Sequence, residues 1–489
     1  MRPVAKLAVL LLAAPAVAQT TAPATMPTTL PAQIEQESIL GGGEAFPQDT
    51  PERILDVTER VFPAVVRLDV AQEIYRDGKQ TLQRGTGSGV IFDADGHILT
   101  NYHVAGRAVE IFVTLANKER VRGTLVGDDH WTDLAVVQLD MDEVRRKNAD
   151  FVYAELGPDD GLVPGQDVIA IGTPFGLART MSKGIVSNVE RTFYPDEPTI
   201  DGYETGRFNN WVQMDAPIAP GNSGGPLVDL NAQVVGINTR GLPGNDLNFA
   251  IPVSTVRRVK DAILADAARR AQDEDTTAKL GKVSRAELGL DLKPLQDLER
   301  FYNLDPNLGA LVDNVDRGGP ADEAGLRVQD ILLSIAGVET NVRFPEELAA
   351  VRQMVAQLPP GEAVELVFLR NGEQMTATAT PVTLESAVGA EAELPEWGLS
   401  VRDVTRPYAN AAQLDDATGV LVTTVRTGYP AQRADLTPGD VIRQVNGQAV
   451  ENLEAFETLY DQAKEEGLDR VLLTVAQRQG QRTVLLNLE

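Results

Sequence analysis

The chain contains no cysteine. This excludes structural disulfides, thiolate zinc sites, a cysteine nucleophile and a lipid-modified N-terminal cysteine. Basic residues are in deficit: 44 Lys and Arg against 71 Asp and Glu give a formal net charge of −27. With no local basic patch, phosphate backbones and anionic lipid surfaces would be repelled, so nucleic acid is not an expected partner. No phosphate-cradling glycine loop of the P-loop type is present, so no ATP is implied, and no metal or other cofactor is expected. Histidine is scarce, with only His97, His103 and His130.

Long apolar runs are also missing. The one at the N-terminus, Leu7 to Val17, is shorter than the ~20 residues that span a bilayer. It follows Arg2 and Lys6 and ends in Ala16-Val17-Ala18, the pattern of a secretory signal peptide cleaved after Ala18, with an uncleaved anchor as the alternative. Residues 19–50, rich in Thr, Pro and Ala, are expected to form a flexible tether. No stable membrane insertion is expected once the signal is removed.

A chain of 489 residues calls for two to four domains. Its 42 Gly and 29 Pro suggest many turns and much β-structure. From about Ile54 to Val259, short runs such as Ala64-Val65-Val66-Arg67-Leu68 and Val168-Ile169-Ala170-Ile171 alternate with turn clusters. With no helical segments between them, they predict a closed or sandwiched antiparallel architecture. The charged, Ala-rich stretch Val256 to Leu280 reads as a helix or linker at a domain boundary. Beyond it, Gly309-Ala310-Leu311-Val312 through Gly337 recurs as Gly419-Val420-Leu421-Val422 through Gly447 at a constant offset of 110 residues. That is too long for a solenoid repeat and right for two copies of a small domain.

Ser223 lies in Pro220-Gly221-Asn222-Ser223-Gly224-Gly225-Pro226. Glycines there let backbone amides converge on an oxyanion, and a serine hydroxyl needs a base before it can attack. Among the three histidines, His97 falls in a hairpin turn and His130 in a polar loop. His103 follows the strand-like Ile98-Leu99-Thr100, where it is either that base or a satisfied rim histidine. The acid that orients such a base is expected at Asp133, which precedes Leu134-Ala135-Val136-Val137. Asp128 and Asp129, in a more exposed-looking Gly-Asp-Asp turn, compete for the role.

Taken in order, Gly87-Ser88-Gly89-Val90-Ile91, Thr100-Asn101-Tyr102-His103-Val104, Thr132-Asp133-Leu134-Ala135-Val136, Gly172-Thr173-Pro174-Phe175-Gly176 and Gly221-Asn222-Ser223-Gly224-Gly225-Pro226-Leu227 resemble the HtrA/Deg family of serine proteases. The order His, Asp, Ser is that of the chymotrypsin fold. The resemblance implies a mainly β protein with a chymotrypsin-like double β-barrel at 51–262, a helical or charged linker at 263–283, and PDZ domains (small α+β) at 284–384 and 385–489. His103 would be the general base, Asp133 its orienter and Ser223 the nucleophile. The amides of Gly221, Asn222 and Ser223 would form the oxyanion hole. Ile237, Asn238, Thr239, Asn248 and Phe249 would shape a specificity pocket, with no acidic residue at its base and so a preference for small or medium apolar side chains.

Leu288-Gly289-Leu290 and Trp397-Gly398-Leu399 look like the carboxylate-binding loops of PDZ domains, which capture chain termini by strand addition. The implied activity is periplasmic, ATP-independent endoproteolysis of unfolded or mislocalised envelope proteins, with apolar C-terminal peptides as PDZ ligands and a homotrimer or higher oligomer. A non-catalytic chaperone or scaffold is the alternative. Three departures stand out. Asn248 replaces a glycine common before the Phe-Ala-Ile-Pro run, the stretch Glu73 to Gln83 is short where some relatives carry a long regulatory loop, and Gln329 stands where the second copy has Gly439.

Overall fold

The computed structural model describes residues 47–159, 161–173, 179–193, 199–200, 203–242, 247–273, 280–296, 298–477 and 480–489. The expected signal peptide and all but residues 47–50 of the expected tether lie outside the described residues. No described helix is long and apolar enough to cross a membrane.

The first element is a helix, α1 (Pro51–Val61), which the strand-rich reading of this region did not include. Its start is encoded locally: the Thr50 side chain accepts from the Arg53 N–H, and Pro51 occupies the first turn, where its missing donor costs nothing. Val57 and Val61 then enter the core. A second unanticipated helix covers Met141–Lys147, capped by Asp140.

Two closed six-stranded antiparallel barrels follow. The first contains β1 (Val65–Arg76), β2 (Lys79–Ile91), β3 (His97–Thr100), β4 (Ala108–Thr114), β5 (Arg120–Asp129) and β6 (Leu134–Leu139), in the order β1-β2-β3-β6-β5-β4. The second contains β7 (Asp167–Gly172), β8 (Thr180–Arg191), β9 (Trp211–Met214), β10 (Pro226–Val228), β11 (Val234–Leu242) and β12 (Leu247–Pro252), in the order β9-β12-β11-β10-β7-β8. Separate clusters of buried side chains fill each barrel. A third lies between them and joins Val90, Leu99 and Val136 of the first to Ile169, Ile171 and Trp211 of the second. The long helix α2 (Val253–Ala271) buries Val256, Val259 and Ile263 in that same cluster. It is therefore part of the catalytic body, where the sequence suggested a linker from 263 onward.

The repeated modules each form an antiparallel sheet with a flanking helix. The first has β13 (Leu290–Lys293), β14 (Ala310–Val315), β15 (Ile331–Ile335), β16 (Val364–Arg370) and β17 (Glu373–Ala379), in that order, with helix α3 (Leu348–Ala356). The second has β18 (Glu391–Leu394), β19 (Leu399–Asp403), β20 (Val420–Val425), β21 (Val441–Val445), β22 (Arg470–Gln477) and β23 (Gly480–Asn487), in that order, with helix α4 (Leu453–Glu465). The turns at Gln329 and Gly439 do not differ: both residues have positive φ (77° and 98°), and their amides donate to Val312 O and Val422 O, each at 2.9 Å.

Candidate active site

The site forms where the barrels meet. Tyr102–Ala105 is one short helical turn, which carries His103 at the rim of the first barrel with its ring partly exposed. Asp133 sits immediately before β6 with φ of 62°, a left-handed conformation that Asp tolerates better than most residues and that bends the chain so its carboxylate faces back. His103 Nδ1 lies 3.0 Å from both Asp133 oxygens, and the His103 backbone N–H donates to Oδ1 at 3.1 Å. Thr239 Oγ1 donates to Oδ2 at 2.7 Å. Burial opposes ionisation of this fully buried carboxyl, but the His103 ring and the donors around it prevail, and its pKa lies below the usual carboxylate value.

Ser223 Oγ donates to the Thr239 carbonyl at 2.9 Å, and among the described residues no hydrogen bond joins it to His103. Thr239 thus serves the site at both ends, side chain to the acid and carbonyl to the serine. It can do so because the β11–β12 register shifts between Asn238 and Arg240, a bulge that turns Thr239 out of the ladder. Gly221 has φ of 101°, open only to glycine, and aims the loop. The Asn222 N–H, expected as an oxyanion donor, is instead taken by Ala219 O at 2.9 Å. The Gly221 and Ser223 amides have no acceptor among the described residues.

The first barrel holds the serine loop in place. Ser88 N donates to Ser223 O at 2.9 Å, and Ser88 Oγ donates to Gly221 O at 2.6 Å. A Cβ on Gly224 would fall 2.2 Å from Ser88 O and 2.3 Å from Thr100 Oγ1, so this seam closes only over glycine. Ser88 and Thr100 lay inside the motifs read from the sequence, without an assigned role.

Several expected site residues have other duties. Ile237 and Phe249 belong to the inter-barrel core. Asn238 Nδ2 donates to Ile171 O and Pro226 O, bracing the strands. Asn248 is buried, and its Oδ1 accepts from Ile218 N at 3.1 Å, tethering the segment that leads to the serine. These side chains support the site from within the fold. Pro174, Phe175 and Gly176, which belong to one of the motifs that carry the family resemblance, lie outside the described residues.

His130, Asp128 and Asp129, read as polar or exposed, are buried. Arg285 forms a two-pronged pair with Asp129 at 2.7 and 2.6 Å, both partners almost fully enclosed, and Lys282 reaches Asp128 at 2.7 Å. Arg240 lies half-buried beside the acid, with its guanidinium 5.2 Å from the Trp211 ring and bonded to Thr205 Oγ1 at 2.8 Å.

In the first module the Leu288 side chain is buried in the core while Leu290 is half-buried, so a ligand would meet the loop through its backbone. A cavity of about 730 Å³ opens beside Leu288, Gly289, Leu290, Val351 and Val355. In the second module Trp397 and Leu399 are likewise core residues, with Trp397 between the Phe456 and Tyr460 rings at 5.7 and 5.0 Å.

Residues 87–237 match the trypsin-like peptidase domain, and residues 311–370 and 421–466 match the PDZ domain. Together with the paired barrels, these define a trypsin-like serine endopeptidase carrying two PDZ domains. The chain is 33% identical over 422 residues, 84% of its length and 77% of the relative's, to a probable periplasmic serine endoprotease DegP-like of Chlamydia trachomatis serovar D. It is 34% identical over 425 residues, 83% of its length and 80% of the relative's, to a protein of the same description from Pseudomonas savastanoi pv. phaseolicola. Among solved structures, the HtrA-type protease AlgW with tripeptide matches with TM-score 0.56 and 31% identity, over 68% of this chain and 97% of that one. A serine endoprotease from Yersinia pestis matches with TM-score 0.50 and 28% identity, over 70% and 100%. The chain belongs to the HtrA/Deg family of serine endoproteases.

Proposed function

We propose that the protein hydrolyses peptide bonds of unfolded or mislocalised proteins in the periplasm through an acyl-enzyme at Ser223. The observation that carries this reading is the buried Asp133 carboxylate holding His103 through Nδ1, which leaves Nε2 of that ring for a proton from Ser223. Ser223 Oγ rests on the Thr239 carbonyl. A substrate strand laid along β11 would offer that carbonyl a backbone N–H and release the hydroxyl toward His103. Oγ then attacks the scissile carbonyl while His103 takes its proton. The Gly221 and Ser223 amides receive the oxyanion, and His103 returns the proton to the leaving amine. Water attacks the acyl-enzyme by the same route in reverse. The PDZ modules deliver chain termini by strand addition. Family resemblance supports export by the N-terminal signal and assembly as a homotrimer or higher oligomer.

The test is intact-mass analysis of the mature protein after treatment with a fluorophosphonate, alongside cleavage of unfolded casein. An adduct and cleavage in wild type, both lost in Ser223→Ala, are expected. Neither appearing in wild type, even with apolar C-terminal peptides added, would leave a polypeptide-binding scaffold as the better reading.

A further inference from the structure

The two PDZ modules share one backbone frame but differ at the groove. Gly289 and Gly398 both have positive φ, 66° and 72°. Their neighbours bond alike: Ala321 N to Leu288 O and Ala431 N to Trp397 O at 2.9 Å, Asp316 N to Gly289 O at 2.9 Å, and Arg426 N to Gly398 O at 2.8 Å. In the first module β13 is an edge strand with β14 as its only ladder partner, and the Gly289 amide has no backbone acceptor among the described residues. That edge is an unpaired template for an added strand, and it faces the cavity of about 730 Å³, which Arg402, Pro407, Tyr408 and Asn410 of the second module also line.

In the second module the corresponding edge is filled. β18 pairs antiparallel with β19 on the side opposite β20, from Glu391 against Arg402 to Leu394 against Leu399. It runs toward the glycine loop, the direction in which a peptide terminus would enter. The Gly398 N–H donates to the Leu394 carbonyl at 2.9 Å, where a terminal carboxylate oxygen would otherwise sit. The Leu394 side chain is 2% exposed among Trp397, Phe456 and Tyr460, filling the apolar site of a ligand's last residue. Just beyond it, Glu396 is fastened to α4 through Tyr460 at 2.7 Å and Lys464 at 2.8 Å.

The catalytic domain fastens the same strand. Tyr75 Oη donates to Glu391 O at 2.8 Å, Gln80 N donates to Glu393 Oε2 at 2.7 Å, and Gly78 N at the tip of the β1–β2 turn donates to Thr424 Oγ1 at 2.8 Å. A Cβ on Gly78 would lie 2.8 Å from Gly398 O, so the hairpin tip rests against the carboxylate loop itself. The short segment noted between Glu73 and Gln83 is the device that makes this contact.

We propose that β18 is a built-in ligand of the second PDZ domain, so that free polypeptide termini are captured by the first PDZ domain alone, while the second is committed to the protease hairpin. This rests on the reading of the modules as peptide-binding but not on catalysis, so the full-length Ser223→Ala protein is used. A fluorescein-labelled decapeptide ending in Leu-Val-Leu is titrated by anisotropy and calorimetry. One peptide per chain is expected, with binding abolished by Val355→Glu on α3. Leu394→Asp, which expels the internal strand's anchor, is expected to raise the stoichiometry to two. On unmutated grooves, hydrogen exchange at saturating peptide should show new protection in β13 and no change in β19. Two peptides per chain before Leu394 is altered, binding that survives Val355→Glu, or peptide-induced protection in β19 each overturns the proposal. No binding to any variant overturns the peptide-binding reading and this inference with it, while the fluorophosphonate adduct reports separately on the protease.

Discussion

Acidification from pH 7 toward 4 should loosen the junction around His130, and His130→Gln should remove that response. The ring is buried against Trp131, with centroids 4.5 Å apart, and faces Asp129, Arg285 and Lys282. Burial, reinforced by Arg285 and Lys282 and opposed by Asp129, pushes its pKa down from 6.5 to about 4. Its Nε2 accepts the Ala387 N–H at 3.2 Å, a role that only the neutral ring can fill. The unfolded chain takes up the proton near pH 6.5 and the folded chain only near pH 4. Between these values the unfolded state therefore binds more protons, and stability falls as pH falls. At about 1.4 kcal/mol per pKa unit, the loss reaches about 2 kcal/mol at pH 5 and about 3 kcal/mol below pH 4. Other carboxylates titrate in wild type and variant alike, and glutamine keeps an acceptor for Ala387. The difference between their urea-unfolding free energies, followed by tryptophan fluorescence at pH 7, 6, 5 and 4.5, isolates the histidine. A gap that moves in the variant's favour by about 2 kcal/mol between pH 7 and 5 is expected. Parallel pH profiles would refute the assignment of a neutral, buried ring.

Arg285→Met should destabilise the catalytic body by about 3–5 kcal/mol, because it strands Asp129 as a buried, unpaired charge; adding Asp129→Asn should recover most of the loss in the same urea assay. Thr239→Val removes a donor to the Asp133 carboxylate and should lower kcat/KM for casein about ten-fold, with Thr239→Ser restoring it. Gly224→Ala meets both the positive φ of 84° and the 2.2 Å approach to Ser88 O, so it should abolish the fluorophosphonate adduct while circular dichroism shows the barrels still folded.

The chemical core of the protein was legible because chemistry restricts residue type. With three histidines in the whole chain, position relative to the strands separated His103 from its rivals, and the 110-residue repeat exposed the paired modules. What stayed hidden was set by contacts distant in sequence. Gly-Asp-Asp reads as an exposed turn, yet Asp129 is buried because Arg285, 156 residues away, neutralises it. Asn222 looked like an amide donor by position, but whether an amide is free depends on the carbonyl beside it, here that of Ala219. α1 carried its signals in Thr50 and Pro51, and these were outweighed by the strand-rich context that follows. The repeat predicted two copies of a small domain. The segment that makes them unequal, Glu391–Leu394, lies just ahead of the second glycine loop, outside the matched positions.

The segment leading to Asp133 ties the first barrel to the chain around the first PDZ domain and to the second barrel. Asp128 is held by Lys282, Asp129 by Arg285, and His130 by the Ala387 amide, all from the chain that enters or leaves the first PDZ domain. Trp131 O and Thr132 O accept from Gly206 N and Asn209 Nδ2, and the neighbouring Phe208 carbonyl accepts from Gln353 on α3, the helix that walls the first peptide groove. Five consecutive residues are thus each fixed by a partner outside the first barrel, and the sixth is the residue that orients His103. Of these contacts the Asp129–Arg285 pair is charged and almost fully enclosed on both sides, which makes it the costliest of the five to open. Asp133 itself is held within the catalytic body, its carbonyl by Tyr102 N and Asn101 Nδ2 and its carboxylate by His103 and Thr239, so the triad geometry rests on contacts inside the barrels.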